Sequence, residues 1–298
     1  MGILNTYRFI TSHPLTSHRR LSALGRYLRW QLGSRLLGWP VVAPFVDHTR
    51  VLVRAGMKGA TGNIYCGLHE LEDRAFVLHF LRPEDLFVDV GANVGSYTVL
   101  ASGVVGATTI AVEPSPAAFA VLEDNVRLNG ITERVEAHNI AVGREEGTVA
   151  FTLGHDTGNH VVSLGEEAKE QETALVSQVP LGELLGGRTP ALIKLDVEGY
   201  EAEVLSGAER LFADQALRAV LMELNGSGTR YGVDDRALHA RMQRLGFMPC
   251  RYDPFARCLA ETDASLDSPG NVLYVREPPF ARERVASAPK RSVLGRRL

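Results

Sequence analysis

Four carboxylates stand where an apolar run gives out. Asp89 lies in the run LFVDV at 86–90, two residues before Gly91. Glu113 ends the run IAVE at 110–113. Asp196 ends ALIKLD at 191–196, and Glu198 follows it in DVEGYE. Acids delivered to the rim of a sheet can hold a cationic ligand, bind ribose hydroxyls or take a proton from a reacting hydroxyl. His138 and His160 are further candidate bases, because histidine has the reference pKa closest to neutrality. His160 is the better placed. It lies in a glycine-bearing loop, 154–165, with Asn159 and Ser163, and such loops often carry function on a rigid scaffold.

Gly91 and Gly95 bracket a tight turn with Asn93 between them. Before the turn is a short, branched, apolar strand. After it, Tyr97, Leu100, Ala101 and Val104 recur at helical spacing. A glycine turn of this kind lets the backbone approach a ligand and presents it to the positive end of a helix. The dinucleotide fingerprint G-x-G-x-x-G fits poorly, since Asn93 and Ser96 replace its second and third glycines. A pyrophosphate would also meet Asp89. S-adenosylmethionine carries an α-ammonium and a sulfonium instead, which Asp89 suits. Glu113, about twenty residues on, suits the ribose hydroxyls. The expected cofactor is S-adenosylmethionine, held by Asp89, Gly91, Asn93, Gly95 and Glu113.

Four stretches then stand together: DVGANVGSYT, VEPSPAAFAVLEDNVRLNG, VEAHNIAVG and LIKLDVEGYEAEVLSGAE. They resemble the FkbM family of S-adenosylmethionine-dependent methyltransferases over about residues 60–225. The resemblance implies a Rossmann-like class I methyltransferase fold of the α/β class, a mostly parallel doubly wound sheet with an antiparallel closing strand. It also implies O-methylation of a sugar, glycolipid or polyketide-like hydroxyl. Asn139 and Ala141 correspond to the family's adenine-side segment, where Asn139 either bonds the adenine edge or holds a turn. Asp196, His160 and Glu198 are the expected catalytic residues. Asp196 and Glu198 have two readings. They bind a divalent cation that orients the hydroxyl, or Asp196 holds the cofactor's cationic end while Glu198 caps the next helix. Lys194 and Glu201 are expected to be structural or positioning residues. The rival readings are a non-catalytic S-adenosylmethionine-binding protein and a methyltransferase acting on nitrogen or nucleic acid.

Apolar periodicity supplies the elements that must position these groups. Strands are expected at 51–53, 63–65, 86–90, 135–138, 148–152, 191–196 and 220–224, with 247–252 and 272–275 as a closing antiparallel pair. Helices are expected at 71–81, after Gly95, around Leu122–Leu128 with Asn129-Gly130 as the stop, and at 236–245. Glu166 to Glu172 is charged and expected to be exposed. The ends differ from the middle. Residues 1–58 hold nine Lys/Arg and one acid, 59–275 hold sixteen and thirty-two, and 276–298 hold seven and two. The division expected is a basic N-terminal extension (1–58), a methyltransferase domain (59–275) and a basic, disordered tail (276–298). An acidic core argues against a broad nucleic-acid footprint. A small-molecule or glycan acceptor is expected.

Leu21, Leu24, Leu28, Leu32 and Leu36 lie close to a helical stripe, interleaved with arginines and with Tyr27, Trp30 and Trp39. Such a helix packs on its own domain or lies on a membrane surface. Three cysteines without metal-type spacing read as reduced thiols. With no secretory pattern at the start, the expectation is a cytoplasmic enzyme with peripheral membrane contact through the N-terminal helix.

Overall fold

A computed structural model describes residues 3–38, 40–54, 56–154, 158–163, 166, 172–262 and 270–298. Trp39 and residues 167–171 of the charged stretch fall outside these. Glu172 is exposed, and Glu166 is half-buried against His160.

Eight strands form one sheet: β1 (Leu86–Val90), β2 (Thr108–Val112), β3 (Val135–His138), β4 (Leu192–Leu195), β5 (Ala219–Leu224), β6 (Met248–Asp253), β7 (Cys258–Glu261) and β8 (Gly270–Val275). Their order is β7-β6-β8-β5-β4-β1-β2-β3. The five strands from β5 to β3 are mutually parallel. Strand β8 closes the sheet antiparallel to β5, and β6 and β7 follow antiparallel. The chain reverses direction across the sheet at β1, where β2 leaves to one side and β4 to the other. Ligands of doubly wound sheets bind at such a switch point, outside the carboxyl ends of the strands.

Strand residues alternate between two apolar layers. Phe87, Leu192 and Leu221 face one, packed with Phe76, Phe80, Val99, Leu100 and Val285. Val88, Val90, Ile193, Leu195 and Met222 face the other, packed with Leu181, Val204, Phe212, Leu238 and Met242. The helix Pro116–Leu128 starts because Ser115 accepts a bond from the Ala118 N–H and Pro116 occupies the first turn. After Gly95 the chain makes one α turn and then a π-helix over Val99–Val105, a local widening that the apolar spacing did not reveal.

Two expectations need correction. Residues 63–65 are not a strand. Lys58–Cys66 is a helix packed against the Arg20–Leu37 helix, and two adjacent apolar residues carry no period that tells the two apart. The tail is not disordered. Pro278–Ser287 is a helix, and 292–293 pairs with 296–297. Val285, Val293 and Leu298 are buried. Arg284 pairs with Asp85, Val46 bridges to Val293, Arg291 meets Asp47 at 3.4 Å and Arg296 donates to the Pro14 carbonyl at 2.5 Å. Few but well-placed apolar residues and ion pairs thus fasten the tail to the front of the chain.

Cys66 and Cys250 are buried, Cys258 is exposed, and all three are free. Among the described residues, no helix is long and apolar enough to cross a membrane.

Candidate active site

A cleft of about 830 Å³ opens over the carboxyl ends of β1, β2, β4 and β5. Its floor is the turn after β1. Gly91 there has φ +75°, and a Cβ added to it would lie 1.8 Å from the Asp196 carbonyl oxygen. Only glycine lets the turns after β1 and β4 touch. Asn93 also takes a left-handed φ of 51°. Its N–H donates to Glu113 Oε2 at 2.8 Å, and the Ser115 N–H donates to Glu113 Oε1 at 2.8 Å. Burial pushes the Glu113 carboxyl up to about 7, while the two N–H donors pull it down. Gly91, Asn93, Glu113 and Ala141 all line the cleft. Gly95 begins the following helix in a left-handed conformation.

Asp89, Gly95 and Asn139 do not line the cleft. Asp89 alternates onto the face of Phe87, under the helix after the turn, and is fully buried. Its Oδ2 accepts from Thr98 Oγ1 at 2.7 Å, and its Oδ1 has no hydrogen-bond partner among the described residues. The expectation that Asp89 meets the cofactor's cation at the mouth of the turn is therefore corrected. Burial raises its pKa, and Lys194 on the neighbouring strand opposes that. Asn139 is exposed and donates to the carbonyls of Glu113 and Pro114, so it holds a turn.

The middle of the cleft is a charged cluster. Lys194 is buried, and its Nζ donates to Asp196 Oδ2 at 2.8 Å. Burial works against its charge, but Asp196, Asp89 and Glu70 outweigh it and hold the ammonium protonated. Glu223 extends β5 beside Asp196. Carboxylate oxygens of Asp196, Glu198 and Glu223 lie within 4.8 Å of one another. Burial and the facing Asp196 push Glu223 up to about 9, which favours its protonated form at neutral pH. Glu198 is a non-glycine residue at φ 54°, a costly backbone conformation of the kind that collects at functional sites. Glu201 is buried and accepts from the Val197 and Gly199 N–H groups at 3.1 and 3.4 Å, which makes it structural.

The histidine expectation fails. His160 is 5% exposed, and its Nε2 meets Glu166 at 3.0 Å while its Nδ1 meets the Gly158 carbonyl at 3.0 Å. Its neighbours Asn159 and Val161 line the cleft, but His160 itself does not. The residue braces the loop. His138 likewise pairs with Glu136 at 2.8 Å, away from the cleft.

The far end of the cleft comes from the N-terminal region. Phe9, Tyr27, Trp30, Gln31, Arg35, Tyr65 and His69 line it, next to Glu70 and Arg74. Glu70 accepts from Tyr97 Oη at 2.8 Å and pairs with Arg74 at 3.2 Å. Burial would raise its carboxyl, yet Arg74 and Lys194 hold it down at about 2. The sequence reading missed this wall and missed Glu223. The signal for Glu223 was present, since it too ends an apolar strand on the same rim.

The residues suit S-adenosylmethionine. A glycine turn, an acid after β2 and an apolar flank from Ile140 to Val142 form one continuous surface, with carboxylates beside it for cationic groups.

Comparison with known proteins agrees. The Methyltransferase FkbM domain family matches residues 89–249. The chain is 31% identical to Methyltransferase 1 of Beauveria bassiana, over 43% of this chain and 60% of that protein. It is 29% identical to the 31-O-demethyl-FK506 methyltransferase FkbM of Streptomyces tacrolimicus, over 46% of this chain and 65% of that protein. The chain spans less than two thirds of the length of either relative. Among solved structures, precorrin-6y C5,15-methyltransferase of Geobacter metallireducens aligns with a TM-score of 0.39 at 12% identity, over 70% of this chain and 87% of that chain. With the family's domain matching more than half of its residues, this chain belongs to the FkbM methyltransferases.

Proposed function

We propose that the protein transfers the methyl group of S-adenosylmethionine to a hydroxyl of a sugar, glycolipid or polyketide-like acceptor. One observation carries the reading. A single cleft joins the glycine turn, the Asp196–Glu223–Lys194 cluster and an aromatic wall. The relative named 31-O-demethyl-FK506 methyltransferase FkbM fits an oxygen acceptor of polyketide type. Cytoplasmic placement belongs to the same reading.

Gly91, Asn93, Glu113 and Ala141 hold the cofactor, which supplies an electrophilic methyl carbon when bound. Asp196 accepts the proton of the attacking hydroxyl. Lys194 fixes one of its oxygens, and protonated Glu223 steadies the other side, so the base is aimed before the acceptor arrives. Alignment in such a frame supplies much of the rate. Tyr27, Trp30 and Tyr65 give flat apolar faces for a ring-bearing acceptor, and Gln31 and Arg35 give polar edges.

A second reading rests on the spacing of Asp196, Glu198 and Glu223, which suits a divalent cation. Lys194 already neutralises Asp196, and the proton on Glu223 competes with a metal. Incubation with labelled S-adenosylmethionine and a panel of hydroxylated glycans and macrolides, with and without EDTA, tests both. Methyl ether formation that survives EDTA supports the metal-free base. Abolition by EDTA with rescue by magnesium supports the cation. No methylated product from any hydroxyl acceptor overturns the reading.

A further inference from the structure

We propose that the Arg20–Leu37 helix seats the protein on an anionic bilayer, and that the methyl acceptor is the hydroxylated headgroup of a lipid in that bilayer. The second half rests on the methyl-transfer reading above, while the first stands apart from it.

The helix has two faces with different tasks. Ala23, Trp30 and Ser34 are buried, and Arg26 ties this face down by donating to the Ile64 and Tyr65 carbonyls at 3.3 and 2.8 Å. Tyr27, Trp30, Gln31 and Ser34 from the same side line the acceptor end of the cleft. The opposite face carries Leu21, Leu28, Leu32 and Leu36, exposed by 87%, 57%, 62% and 81%. Of the nine exposed large apolar side chains among the described residues, four are these leucines. At 3.6 residues per turn they fall within an arc of about 80°. On that helical wheel Arg29 and Arg35 stand at the two edges of the arc, and both are exposed.

A stripe of leucines edged by arginines is the pattern of a helix lying in a membrane interface. Charge selects the occupant. The helix carries four arginines and no acid, with Arg29 and Arg35 flanking the leucine stripe, so an anionic surface is complementary to this face and a second copy of the same cationic face is not. The geometry also links docking to chemistry. Leucines pressed into lipid on one side of a single helix leave its other side as the wall of the acceptor chamber. A headgroup then enters the cleft beside the helix that holds the protein on the membrane.

The test uses the full chain with phosphatidylcholine vesicles, with and without phosphatidylglycerol, in a sedimentation assay. The wild type is expected to sediment only with the anionic vesicles. Leu28→Ser combined with Leu32→Ser is expected to lower the partition coefficient about tenfold or more, and Arg29→Glu to lower it in a salt-dependent way. Both variants should still bind S-adenosylmethionine, which shows that they fold. A wild type that stays in the supernatant, a leucine variant that sediments equally, or a dimer that the leucine variant breaks would each overturn the docking. Labelled S-adenosylmethionine is then supplied with lipid extracts and with water-soluble glycans. Label in the lipid fraction supports a headgroup acceptor. Label only in soluble glycans overturns the headgroup and spares methyl transfer. No label in either overturns methyl transfer and leaves the vesicle result intact.

Discussion

Gly91 and Asp196 meet backbone to backbone, so closely that a single added Cβ on Gly91 would lie 1.8 Å from the Asp196 carbonyl oxygen. The turn proposed to cradle the cofactor and the turn proposed to present the base are therefore one packed unit. Gly91→Ala must push them apart and also force a side chain into φ +75°. Overpacking of this kind costs about 1–3 kcal/mol, before the φ strain is added. S-adenosylmethionine affinity and turnover should both fall by about tenfold or more, read by calorimetry and by methyl transfer. A variant that loses neither would separate the two turns.

Asp196→Asn removes the proposed proton acceptor and keeps the shape. A positioned base contributes about 10²–10⁴-fold, so kcat should drop by about that much while S-adenosylmethionine affinity changes little. Lys194 loses its anionic partner, so a modest fall in Tm is also expected. Near-normal kcat would remove Asp196 from the role of base.

Glu223 gives a pH signature. Its pKa rises on folding from 4.5 to about 9, so the folded state binds more protons than the unfolded state between those values. Stability from this group is whole below pH 4.5 and is lost as pH rises through 9. Glu223→Gln holds the neutral form permanently. The variant's Tm should gain on the wild type as pH climbs toward 9. The scale is about 2–4 °C per kcal/mol, as for domains of 150–250 residues. Parallel Tm curves for the two proteins would place the proton elsewhere.

His160→Gln distinguishes a loop brace from a catalytic base. Both ring nitrogens are engaged within the loop, at 3.0 Å from Glu166 and 3.0 Å from the Gly158 carbonyl. Losing them should cost about 1–3 kcal/mol of stability and leave kcat within severalfold of the wild type. A loss of kcat near a hundredfold at unchanged Tm would return His160 to the chemistry.

Arg284→Ala tests the tail. Arg284 and Asp85 are mostly buried together, with side chains 14% and 12% exposed. Among the described residues the Asp85 carboxylate would keep only the Arg82 N–H at 2.7 Å, so breaking this mostly buried pair should cost up to about 3–5 kcal/mol, visible as a lowered denaturation midpoint. An unchanged midpoint would make the tail a passenger.

The parallel core was legible because most of its strands are short apolar runs that end near an acid or a glycine, a pattern that periodicity reads directly. The same rule placed Asp196 and Glu113 on the rim. It misled for Asp89, since position along a strand does not say which face a side chain takes until the layers are known. The aromatic wall was not legible, because Tyr27 and Trp30 reach the cleft only through packing against Tyr65 and its helix. In the tail, Val285, Val293 and Leu298 are too few to announce a fold, and their worth lies in the holes they fill.

The latch between the two ends has a consequence for synthesis. Asp47 and Pro14 find partners in Ser292 and Arg296, 245 and 282 residues downstream. At about 5–20 residues per second, a ribosome needs roughly ten seconds to a minute to deliver those partners. During that interval the leucine-bearing helix emerges while the segments on either side of it, at Pro14 and Asp47, still lack their partners. The latch on Pro14 and Asp47 can therefore close only once residues 292–296 have left the ribosome.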